Sequence, residues 1–153
     1  EACWKALEKD VGKLSGEGDV RLSRDYRFTY FTPFAVAVGV RDFGIEFVDG
    51  YYPVALPAEL SRTQLNRTLK EIAFQAPFFR QYWVLVPPTE ATATKVYDGL
   101  AAIGLESVGC AGLKDGALTV TRKATASKTS QQQASIIVEI LEFGVPKPIK
   151  VSR

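Results

Sequence analysis

The chain has 153 residues, 46% of them hydrophobic and 24% charged, enough for one domain with a proper core and hardly enough for two. Its formal net charge of +2 is too weak by itself to argue for nucleic acid or an anionic membrane, so any basic surface has to come from local clustering. There is no histidine, which excludes Ser-His-Asp and Cys-His catalysis and His-ligated zinc, and the apolar runs are too short and interrupted to span a membrane.

Trp4, Leu7, Val11 and Leu14 recur at helical spacing and predict a first helix from Ala2 to Leu14, ended by Ser15-Gly16-Glu17-Gly18. The aromatic and β-branched run from Arg21 to Val40 reads as extended. Asp42-Phe43-Gly44 and Asp49-Gly50 read as turns framing a short strand, Ile45 to Val48, before another strand from Tyr51 to Leu56. The expectation is a three-strand antiparallel meander. Thr63 is the expected cap of a helix running to about Phe78, with Leu65, Leu69, Ile72, Ala73 and Ala76 as its inner stripe. Tyr82 to Val86 reads as a strand buried on both faces and stopped by Pro87-Pro88.

A further helix carries Val96, Leu100 and Ile103 to Gly104. Two short strands follow, Leu105 to Cys110 and Ala117 to Thr121, around the turn Lys114-Asp115-Gly116. After Arg122 the sequence KATASKTSQQQ resembles a linker, and Ala134, Ile137, Val138 and Leu141 predict a last helical stripe before a Pro-Lys tail. The predicted organisation is a mixed α/β domain over 1–125, with linker, helix and tail over 126–153. Cys3 and Cys110 have no metal-ligand spacing and read as thiols. The glycines form neither a dinucleotide fingerprint nor a P-loop. No signal peptide is visible, so the expected location is cytoplasmic.

The order helix, three-strand meander, helix, strand, helix resembles the restriction-endonuclease-like PD-(D/E)XK nuclease superfamily over residues 2 to 125. TPFAVAVGVRD is similar to that family's "PD" strand, VALPAELSR to its "E-x-K" strand, TLKEIAFQAPFFRQYWVLVP to its Gln-Ala helix and buried strand, and GLAAIGLESVG to the passage that follows. The resemblance implies a restriction-endonuclease-like core. In such a core an Asp and a Glu hold Mg²⁺ against a phosphodiester, and a Lys positions or deprotonates the attacking water. Here Phe34 or Ala35 stands at the Asp place, Pro57 at the Glu place and Glu59 at the Lys place. The expected outcome is a degenerate centre without catalytic residues or metal, in a module that binds DNA or RNA or serves protein assembly. The alternative is an active Mg²⁺-dependent nuclease with a rearranged carboxylate site, using Glu59 and Glu8 with Gln75 on the helix. Gln75 reads equally as a hydrogen-bonding residue packed on the sheet.

Two basic groups are candidates for nucleic-acid contact. Arg21, Arg24 and Arg27 interleave with Tyr26, Phe28, Tyr30 and Phe31; period two puts Arg21 and Arg27 on one face if the segment is extended throughout. Those aromatics read equally as core packing. Arg62, Arg67 and Lys70 fall at helical spacings that can make one surface patch, or an ordinary solvated face. A further resemblance, over residues 82–153, is to the ferredoxin-like SPOR binding domain; it implies a tail strand that places Val151 beside Val84. No membrane partner is expected.

Overall fold

The computed structural model describes residues 2–16, 18–42, 44–54, 61–86, 90–126 and 130–147, with side chains of 90–93 left aside. Among these, helix α1 (Ala2–Ser15) precedes strands β1 (Val20–Arg24), β2 (Ala35–Arg41) and β3 (Gly44–Pro53). Then come α2 (Arg62–Gln75) with a 3₁₀ turn at Ala76–Phe78, β4 (Tyr82–Val86), α3 (Glu90–Ala102), β5 (Gly109–Lys114), β6 (Ala117–Arg122) and α4 (Gln131–Phe143). The class is α/β. The six strands form one mixed sheet in the order β1-β2-β3-β4-β5-β6. The first three form an antiparallel meander from other strands than expected, because the run 21–40 splits into β1 and β2 while the two expected strands after it are one, β3; β4 and β5 continue parallel to β3, and β6 returns antiparallel.

Alternation along the central strands divides the core in two. Val36 and Val38 of β2, and Tyr82, Val84 and Val86 of β4, meet Leu69 and Ile72 of α2, Val96 and Leu100 of α3, and Ile136 and Ile140 of α4. Ala35, Ala37, Tyr51, Trp83 and Leu85 point the other way, against Ala6, Leu7 and Leu14 of α1. The alanines matter: small side chains on β2 let α1 lie close to the sheet. Cys3 packs on the α1 side and Cys110 on the other, both as free thiols, so the sheet itself separates them.

Several expectations are corrected here. Asp49-Gly50 is no turn; β3 runs unbroken through it, with Ala37 paired to Asp49 and Val36 to Gly50. Glycine is needed there because a Cβ would stand 2.7 Å from the Tyr82 ring and 2.8 Å from Phe79, which pack flat on the strand. The strand then ends at Pro53, and the expected extension through Ala55, Leu56, Pro57 and Glu59 lies outside the described residues. Ser61, not Thr63, caps α2: its hydroxyl accepts from the Gln64 N–H while the Gln64 side chain accepts from the Ser61 N–H. β5 begins only at Gly109, because Leu105 to Val108 close a turn instead. Asp115-Gly116 is a turn as expected, both residues left-handed at φ 52° and 75°.

The last helix is rotated from its expected setting. Gln133, Ile136 and Ile140 are buried, while Val138 and Leu141 of the expected stripe face outward. The helix belongs to the same core as the rest. Both edges of β4 are taken, by β3 and β5, so no edge beside Val84 remains for the tail strand of a SPOR-like arrangement. Val151 itself lies outside the described residues.

Candidate functional site

On the α1 side of the sheet, β3 carries a fully buried carboxylate. Asp49 is 0% exposed; it accepts from Arg80 Nε at 3.0 Å, from Arg80 Nη2 at 2.7 Å and from the Gln81 N–H at 3.1 Å. Arg80 enters from just before β4, its guanidinium 3.8 Å over the Phe47 ring, and also donates to the Ser15 carbonyl at the end of α1. Ser15 and Tyr51 join their hydroxyls beside it. Burial pushes the Asp49 carboxyl above the ordinary aspartate value, against the pull of Arg80, Ser15 and the Gln81 N–H. Burial likewise raises the Tyr51 phenol. The result is a closed ion pair with its bonds satisfied internally.

This arrangement bears on metal chemistry through its donor set. Mg²⁺ needs several oxygens at near-octahedral geometry, usually one or two carboxylates with water and phosphate. Asp49 already has a guanidinium in the place of a cation, and the facing β2 residues, Ala35 and Ala37, offer methyl groups. The residues here do not fit a Mg²⁺ site. Among the described residues no cluster of three or more acid, cysteine or histidine side chains is placed to hold a metal.

Of the residues of the rearranged-nuclease alternative, Glu59 lies outside the described residues, and Glu8 and Gln75 are not brought together. Glu8 sits half-buried on α1, on one side of the sheet. Gln75 is at the end of α2, on the opposite side, accepting from the Tyr82 hydroxyl at 2.7 Å. A five-residue polar cluster (Ser15, Asp49, Tyr51, Arg80 and Gln81) escaped the sequence reading because Asp-Gly is the strongest of turn signals. The aromatic and β-branched residues on both sides of it, Ile45, Phe47, Val48, Tyr51 and Tyr52, were the available counter-signal.

The candidate nucleic-acid residues divide in the fold. β1 stops at Arg24, so Arg27 belongs to the connection 25–34 and shares no strand face with Arg21. Arg21 pairs with Asp19 at 3.2 Å. Arg24 lies over Trp4 and Phe34, at 5.7 and 5.5 Å, on the α1 side. The connection carries Arg27, exposed beside Tyr26 and Phe143, and α2 carries Arg62, Arg67 and Lys70, all exposed. What joins them is aromatic packing. The Phe28 N–H donates to the Phe31 carbonyl, closing a turn, and Phe31 packs 6.1 Å from Phe74 and 5.0 Å from Phe78. The turn is fixed to α4 by Thr29, whose N–H and hydroxyl both donate to Glu139.

Two openings lie among the described residues. A cavity of about 110 Å³ sits at the start of β4 and β5, between Phe79, Arg80, Leu105, Ser107 and Thr125. A wider, shallow depression is bordered by Tyr26, Arg27 and Phe143.

No protein-family model and no curated protein matches the sequence. A solved structure of a protein of unknown function from Silicibacter pomeroyi is similar at TM-score 0.52 and 10% identity, over 91% of this chain and 82% of that one. That likeness is one of fold alone. No helix among the described residues is long and apolar enough to cross a membrane.

Proposed function

We propose that the chain is a nuclease-like α/β module that binds nucleic acid without cleaving it. The observation that carries this reading is the row of exposed cations on α2, Arg62, Arg67 and Lys70, with the aromatic turn 28–31 packed against the end of that helix through the Phe31–Phe74 contact. Exposed cations on one face are the electrostatic footprint of phosphate binding. The restriction-endonuclease-like core is supported by the meander followed by a helix and a strand parallel to β3. The non-cleaving part is supported by Asp49, the buried carboxylate of β3, whose two oxygens are held by Arg80.

Plasmid and oligonucleotides incubated with the protein in Mg²⁺ or Mn²⁺ should remain intact while being retained at low salt. Affinity should fall steeply as salt rises, and Arg67→Glu with Lys70→Glu should flatten that slope. Cleavage that disappears in Glu59→Gln would restore the active-nuclease reading.

A second reading, an assembly module, is favoured by the outward face of α4, where Val138, Leu141 and Phe143 are 58%, 60% and 69% exposed. Sedimentation equilibrium checks it: self-association abolished by Leu141→Glu supports it, and a monomer at all concentrations removes it.

A further inference from the structure

Large aromatic side chains are seldom left in water, and two of them stand here among the cations. Tyr30 is 71% exposed and Phe74 is 53% exposed. Tyr30 lies inside the 28–31 turn, and its chain neighbour Phe31 is wedged against Phe74 and Phe78. Phe74 follows Lys70 by four residues and Arg67 by seven, so the three line one face of α2. Arg27 enters the same turn from its other end.

Phe74 has a fixed support, and the backbone of the turn that carries Tyr30 is tied down. Phe74 is braced edge-on by Phe31 and at 5.8 Å by Phe78, and Thr29 ties the turn to Glu139. A ring held in place loses little freedom when a flat ligand lies on it. Two carboxylates border this face and keep their charge, Glu71 turned to the Tyr52 hydroxyl and Glu139 to Thr29, so the phosphate path is the Arg67–Lys70 side of α2.

Resting on the nucleic-acid reading above, we propose that this face takes single-stranded nucleic acid, with bases stacked on Tyr30 and Phe74 and phosphates on Arg27, Lys70 and Arg67. A duplex hides its base faces, so it can use the cations but not the rings. Stacking on aromatic side chains is tolerant of sequence, and it needs unpaired bases.

Fluorescence anisotropy of labelled dT20, rU20 and a 20-base-pair duplex tests this at low salt. The single strands should bind about tenfold more tightly than the duplex. Tyr30→Ala and Phe74→Ala should each remove about tenfold from single-strand binding and leave duplex binding unchanged, while Tyr30→Phe keeps it. Circular dichroism on each variant checks that the fold is retained. Tighter binding of rU20 than dT20 assigns the natural ligand to RNA, and the reverse assigns it to DNA. Equal binding of strand and duplex, unaffected by either alanine, overturns the stacking proposal and leaves the nucleic-acid reading standing. No binding of any of the three oligonucleotides overturns both.

Discussion

Replacing Arg80 with Met would strip the buried Asp49 of its cation while keeping much of the side-chain volume. The change removes the bonds at 3.0 and 2.7 Å, the bond to the Ser15 carbonyl and the stacking on Phe47, and leaves a 0% exposed carboxylate with the Gln81 N–H and the Ser15 hydroxyl but no cation. Breaking one side of a buried pair costs about 3–5 kcal/mol, a large part of the roughly 5–15 kcal/mol of a typical domain. The loss has a pH signature. Burial already holds Asp49 above its ordinary value, and losing Arg80 raises it further. A group whose folded pKa is raised contributes fully below its unfolded value, about 3.9, and that contribution disappears as pH rises through the folded value. Chemical denaturation should therefore give a small penalty for Arg80→Met near pH 4, about 1 kcal/mol from the lost Phe47 contact, growing to the full amount by pH 7. Adding Asp49→Asn should recover most of the neutral-pH loss, because the amide needs no counter-charge. An equal penalty at both pH values, or a double variant as unstable as the single one, would refute this account.

Asp10 titrates in the opposite sense. Burial works against its charge, but the Leu118 N–H, with Lys13 and Lys9, outweighs it and holds the carboxyl below the ordinary range. Its contribution is present above about pH 4 and lost as pH falls through the folded value, so Asp10→Asn should flatten the acid limb of the stability profile. Asp10→Ala should cost about 1–3 kcal/mol in a urea titration at pH 7 by orphaning the Leu118 N–H. Gly50→Ala should destabilise by about 1–3 kcal/mol, since its methyl meets the Phe79 and Tyr82 rings below 3 Å. Ser61→Ala should lower stability by about 1 kcal/mol through loss of the α2 cap, measured as a shift in the denaturation midpoint.

The order of elements was legible because it is carried by repeated local signals: helical spacing in Trp4 to Leu14, continuous apolarity in Tyr82 to Val86, and the Asp115-Gly116 turn. Asp49 was misread because the same dipeptide that makes a hairpin turn is also what a strand needs when rings pack on its backbone and a half-buried arginine needs an anion. Local chemistry cannot separate these; the Phe79 and Arg80 that decide between them lie about thirty residues further on. The rotation of α4 was hidden for a different reason. The helix is apolar on two sides, with Ile136 and Ile140 on one and Val138 and Leu141 on the other, so periodicity allows either setting. Of the six proposed nucleic-acid residues, Arg24 turns to Trp4 on the α1 side, Arg21 is paired with Asp19, and Arg27 leaves the strand face because β1 ends sooner than its aromatic run suggests.

Strand order along the sheet repeats order along the chain, so each strand is laid beside one already in place, and most pairings are local. The first helix breaks that economy of distance. Its Asp10 side chain is completed by the Leu118 amide of the final strand, 108 residues later. A nascent or truncated chain that stops before β6 has every pairing of the first five strands available, yet keeps a carboxylate with no amide to receive. Helix α1 and strand β6 thus fasten the structure together across most of its length, and an otherwise stepwise sheet is closed on its α1 side only when β6 arrives.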